Sequence, residues 1–141
     1  MRLVVLSAWM AVLAVTTACK ASDATVVQPT DASVVGFYNL ALVNGGPLPF
    51  PYSASATYRI DIVSGSLTLT SDHAFADLLT TRQTFFAGGS GPDRTETLQG
   101  SWSLQGTNLT LTYPGIAAQL AIVTANQISI NSQGLALRYD K

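Results

Sequence analysis

Few residues in this chain are of a type that does chemistry, and they are thinly spread. There is one cysteine, Cys19, and one histidine, His73. A metal site needs several converging nitrogen, sulfur or oxygen ligands, and these two residues do not supply them. The serines have no base in a recognisable motif, and a nucleophilic serine needs one within hydrogen-bond reach. His73 lies in Ser71-Asp72-His73-Ala74, between two strand-like runs, so it reads as a solvent-facing turn residue. Asp72 and Asp77 are the only pair to weigh for acid–base work, and solvated carboxylates at strand edges are the commoner outcome. No glycine-rich segment precedes a helix, so residues 87–91 are not a phosphate cradle. The sequence thus points away from an enzyme and requires no metal or cofactor. What remains is aromatic. Tyr38, Tyr58, Trp102 and Tyr113 each fall on the apolar phase of a strand-like run, as does Tyr139. There they either fill an interior or line a pocket for a small apolar or amphipathic molecule.

The elements that must carry these side chains are nearly all strands. Tyr38, Leu40 and Leu42 alternate with smaller or polar residues, and Asn44-Gly45-Gly46-Pro47 turns the chain. Tyr58, Ile60 and Ile62 alternate with Thr57, Arg59 and Asp61. Ser64-Gly65 then reads as a hairpin turn into Leu67 and Leu69. Residues 75–86 form another run, whose phase the alternation does not fix. Residues 87–93 (AGGSGPD) are the most glycine-dense stretch and read as a loop. Leu98, Trp102 and Leu104 share one face, and Leu109, Leu111 and Tyr113 the next. Leu120 with Ile122, Ile128 with Ile130, and Leu135, Leu137 and Tyr139 complete the series. The weak helical candidates are residues 72–81 and 115–123. Period-2 alternation puts one face in the dry interior and one in water, as antiparallel sheets allow. Eight or nine short strands with tight turns predict an all-β meander, and closure into a barrel removes its edges.

Composition bounds the rest. Seven lysines and arginines against eight acids give a net charge of −1, with no basic patch to neutralise phosphates. Nucleic acid is therefore not an expected partner. A lone cysteine makes no intramolecular disulfide, and the length suits one domain. The predicted organisation is a leader at 1–18, a polar, Pro29-containing tether at 19–33 and a folded domain at 34–141. An edge strand over residues 25–28 is the alternative reading of the tether.

Arg2, the apolar residues 3–15 and the small residues that follow have the layout of a secretory signal peptide, too short for a membrane span. Thr16-Thr17-Ala18-Cys19 resembles the lipobox of bacterial lipoproteins, with Thr16 where leucine is usual. The resemblance implies cleavage before Cys19, acylation of its thiol and anchoring in a membrane. Lys20, in place of the aspartate that retains such proteins in the inner membrane, implies the outer membrane in a Gram-negative host. More than one acyl chain gives stable anchoring where one is marginal.

Gly36-Phe37-Tyr38-Asn39-Leu40 followed by Val43-Asn44-Gly45-Gly46-Pro47 resembles the opening strand and turn of small bacterial lipocalin-like proteins. Ser64-Gly65-Ser66-Leu67, Gly100-Ser101-Trp102-Ser103-Leu104 and Leu135-Ala136-Leu137-Arg138-Tyr139 are similar to later segments. Tyr38 stands where a true lipocalin has tryptophan. The resemblance implies a monomeric barrel holding a small apolar ligand, with Tyr38, Tyr58, Trp102 and Tyr113 as its pocket. The alternative is a structural or accessory lipoprotein with a solid core that docks on an envelope protein.

Overall fold

The computed structural model describes residues 27–141; the leader, Cys19 and residues 20–26 of the tether lie outside the described residues. The expectation of strands throughout is met by ten of them. They are β1 (Gly36–Val43), β2 (Gly46–Pro47), β3 (Phe50–Ala54), β4 (Tyr58–Leu69), β5 (Ala74–Phe85), β6 (Arg94–Gln105), β7 (Asn108–Thr112), β8 (Gln119–Thr124), β9 (Gln127–Ser132) and β10 (Leu135–Asp140). A single helical turn, α1 (Asp31–Val34), precedes them. Each long strand pairs antiparallel with the next, β10 returns to β1, and β1 pairs with β4. The result is a closed eight-stranded meander barrel. β2 and β3 wedge in where β1 and β4 diverge, β2 on β1 and β3 on β4.

The turns follow local chemistry. Asn44 and Gly45 both have positive φ (49° and 77°), as do Gln133 and Gly134 (50° and 83°). That is the backbone a two-residue hairpin of the twist-compatible hand requires. His73, at φ 63°, ends the turn from β4 to β5, where the Thr70 N–H donates to the Ala74 carbonyl.

Three sequence expectations fail here. On β8 the expected inward pair Leu120 and Ile122 faces out, and Ala121 and Val123 are buried instead. Ser64-Gly65 is not a turn: β4 runs unbroken through it, with a bulge between Ile62 and Ser64 in its pairing with β5. The bulge shifts the inward set from Ile60 and Ile62 to Leu67 and Leu69. Gly65 serves close approach instead. A Cβ there would lie 3.0 Å from a Leu40 methyl and 3.1 Å from the Leu78 carbonyl oxygen. The weak helical candidates are also strand or loop: residues 74–81 belong to β5, and residues 119–123 to β8.

The interior is divided along the barrel axis. Toward the end that carries α1 it is solid, packed by Tyr38, Leu67, Leu69, Phe75, Trp102 and Leu111, with further aliphatics from β7 to β9. α1 plugs this end. Thr30 caps it with a capping box, Val34 is buried, and Lys141 Nζ donates to the Ser33 and Val35 carbonyls at 2.9 Å each. Residues 31–33 of the sequence-defined tether therefore contribute to the closure of the barrel. Gly100 is needed where β5, β6 and β7 meet, since a Cβ there would collide with the Thr112 carbonyl oxygen and the Phe75 ring.

Candidate functional site

Toward the other end the same strands part around a cavity of about 450 Å³. Its position follows from the inward registers. On β5, Phe75 belongs to the solid half, and Asp77, Leu79, Thr81 and Gln83 face the cavity in turn. On β6, Trp102 is core, while Leu98, Glu96 and Arg94 line the opening. On β9, Ile128 and Ile130 give way to Ser132, and on β8, Ala121 and Val123 to Gln119. The interior thus changes from apolar to mixed within single strands.

The floor is polar. Tyr139 Oη donates to Asp77 Oδ1 at 3.1 Å. Tyr113 Oη donates to Gln119 Oε1 at 3.2 Å, and Gln119 Nε2 donates to Ser132 Oγ at 2.8 Å. Tyr113 also meets the Phe75 ring edge-on, with centroids 4.9 Å apart, where the cavity meets the solid core. Burial raises the Asp77 carboxyl above the usual carboxylate range, partly offset by the Tyr139 hydrogen bond. Burial, followed by the nearby Asp77 charge, pushes Tyr113 up to about 12 and raises Tyr139 as well. Both phenols therefore act as neutral donors. The walls above are apolar: Ile60, Ile62, Leu79, Leu98, Leu135 and Leu137.

The mouth is open on one side for a topological reason. β6 pairs with β7 only from Ser101 to Gln105, so its edge over residues 94–99 has no strand beside it. Leu98 accordingly remains 43% exposed although it lines the cavity, and Tyr52 and Ile116 on the rim are 49% and 56% exposed. Glu96 and Arg94 point inward along this free edge, which also discourages pairing by another chain.

Of the four aromatics singled out in the sequence, the fold gathers only Tyr113 into the cavity lining. Tyr38 is fully buried in the solid half, its hydroxyl donating to the Val34 carbonyl at 2.7 Å. Trp102 is buried there too; its indole N–H donates to the Thr70 carbonyl at 3.1 Å, and its ring lies 4.5 Å from that of His73. Tyr58 is half-buried at the start of β4, opposite Phe85 and outside the lining. His73 is exposed in its turn, with Nε2 3.1 Å from Asp31 Oδ2. Asp72 is exposed in the same turn, whereas Asp77 faces the cavity, so the two do not form a paired carboxylate site. Among the described residues no three histidines, cysteines or acids gather as a metal site.

Sequence reasoning weighed Asp77 only as a partner of Asp72, and did not place Leu79, Gln119 or Ser132 in a cavity. The signal lay in β5: odd residues from Phe75 to Gln83 form one face. It was masked because the inward residues turn polar toward the mouth, while Leu78 faces outward.

The architecture is that of a small lipocalin-like barrel: a closed eight-stranded antiparallel meander, plugged at one end and hollow at the other. Comparison of the chain with family models, curated proteins and solved structures finds no match in any of the three.

Proposed function

We propose that this is a non-enzymatic, lipid-anchored, monomeric envelope protein whose barrel holds a small apolar or amphipathic ligand. The observation that carries the binding reading is the cavity of about 450 Å³, with apolar walls over a hydrogen-bonded polar floor. Pockets for small molecules have this size and this make-up. The solid half below contributes what a filled barrel contributes, namely stability. The open half leaves apolar side chains such as Leu98 and Ile116 in contact with water, a cost that an occupant would relieve. A docking role through the outer surface has less support. Leu120 and Ile122 are exposed on β8, but they stand among Asn108, Thr110 and Ser129 on the neighbouring strands.

Anchoring rests on the lipobox-like residues 16–19 and on Cys19 as the acylated residue. Export, with outer-membrane placement in a Gram-negative host, follows from the same residues and Lys20. The described chain enters at the plugged end, where Gln28 approaches Gly106 in the turn from β6 to β7. A tether attached there leaves the mouth unobstructed.

The test of binding is titration of the purified protein with an environment-sensitive apolar dye. Saturable binding is expected, and Leu79→Trp, which pushes a larger ring into the cavity, should weaken it without loss of strand signal. Flat titrations, or binding indifferent to Leu79→Trp, would count against the cup. For anchoring, Cys19→Ser should yield a longer unacylated precursor or a soluble form. Unchanged membrane partitioning with intact processing would refute it.

A further inference from the structure

Asp77 is the deepest β5 side chain facing the cavity, and among the described residues it has no counter-ion there. Tyr139 donates to its Oδ1, while no side-chain hydrogen bond from a described residue reaches Oδ2. Among the described residues, most cations are engaged elsewhere. Arg59, Arg82 and Arg138 hold Asp61, Asp93 and Asp140. Lys141 caps α1 at the plugged end. Arg94 stands at the mouth and forms no ion pair among the described residues. A carboxylate taken out of bulk water without a cation is costly. Directly above it, Ile62, Leu79 and Leu137 line an apolar space.

We propose that the cavity takes an apolar molecule with a protonated amine head, the ammonium seated on Asp77 Oδ2 and the hydrocarbon against Ile62, Leu79 and Leu137. This rests on the ligand-binding reading above and names its ligand class. A carboxylate-headed lipid does not fit head-down, because two anions would meet on a partly desolvated floor. A neutral alcohol fits by shape, but its hydrogen bond to Oδ2 lacks the charge that roughly doubles such a bond.

Of the side chains paired with or bonded to Asp77 from β4, β6 and β10, none is another carboxylate. Tyr139 from β10 and Tyr113 after β7 both titrate far above neutrality. β4 presents Leu67, opposite Asp77, and Ile62, neither of which titrates. On β6, Leu98 stands opposite Asp77, with Glu96 and Arg94 farther toward the mouth. Protonation of Asp77 removes the anion, so amine affinity falls as the pH is lowered.

The experiment is isothermal titration of the purified protein with octylamine, octanol and octanoate. At neutral pH octylamine should bind at least about tenfold more tightly than octanol, the ratio that one charge-assisted hydrogen bond supplies. Octanoate should bind most weakly. Asp77→Asn should bring octylamine down to octanol, and Asp72→Asn, which removes an equal charge at the far end, should leave the preference intact. Equal affinities for octylamine and octanol, or a preference unmoved by Asp77→Asn, would overturn the amine assignment while the cup stands. A preference for octanoate would overturn it too. Binding of none of the three would overturn the amine assignment and the cup together.

Discussion

Truncating Trp102 and Leu98 tests the division of the barrel into a solid half and a hollow half, because the two side chains lie on the same face of β6. Trp102 is 3% exposed and Leu98 43%. Replacing a buried tryptophan by alanine removes its transfer free energy and leaves a hole, about 3–5 kcal/mol together. The lost indole hydrogen bond adds little, because the Thr70 carbonyl still accepts from the His73 N–H at 3.1 Å. Leu98 already meets water over nearly half its surface and borders an existing cavity, so Leu98→Ala creates no new hole. About 1 kcal/mol is expected for it. At about 4 °C per kcal/mol for a domain slightly over 100 residues, Trp102→Ala should lower Tm by roughly 12–20 °C and Leu98→Ala by about 4 °C. Urea unfolding followed by far-ultraviolet circular dichroism measures both, since the strand signal is independent of the indole removed. The reasoning fails if Trp102→Ala costs less than about 1 kcal/mol, or if the two variants cost the same.

Asp77→Asn should change how stability depends on pH. The folded protein holds the Asp77 proton more tightly than the unfolded chain does, so this group's contribution is fully present below the unfolded pKa and is lost as pH rises through the raised folded value. Thermal melts across the acidic range should therefore show a declining component that Asp77→Asn abolishes, and an unaltered profile would contradict the burial argument. Gly100→Ala drives a Cβ into the Thr112 carbonyl oxygen and the Phe75 ring. It should cost about 1–3 kcal/mol by overpacking, and a neutral result in urea titration would show that β6 and β7 can separate there. Tyr38→Phe removes the hydroxyl that holds the Val34 carbonyl. About 1 kcal/mol should be lost, with faster proteolysis at α1, and unchanged cleavage would mean that Val34 burial and the Lys141 and His73 contacts hold the plug without this hydroxyl.

β6, β7, β9 and β10 were legible because each has one face toward the interior and one toward water. Trp102 against Ser101 and Ser103, or Ile128 and Ile130 against Ser129, carry that contrast in a few residues. β8 was not, because its larger apolar residues, Leu120 and Ile122, face water while Ala121 and Val123 are buried. The turn at Asn44-Gly45 was legible because its backbone conformation favours particular residue types. β4 was misread at Ser64-Gly65 because a glycine that opens a turn and a glycine that admits a neighbouring side chain are the same residue in sequence. Only the passage of Leu40 beside Gly65 tells them apart. β5 lost its phase because its inward face runs from the core into a cavity, where the polar Asp77, Thr81 and Gln83 take inward positions alongside Leu79.

The sequence by itself determined an all-β meander, since alternation and turn chemistry are local properties of a few residues at a time. The leader and Cys19 are likewise a reading of sequence. Tertiary structure decided which inward residues are core and which are wall. Tyr38, Trp102 and Tyr113 share the same strand phase, yet the first two are packed beneath α1 and only the third reaches the cavity. Depth along a barrel is set by strand register, by the bulges in β1 and β4 and by what plugs each end. Those are relations between segments far apart in the chain, and alternation within one segment does not encode them.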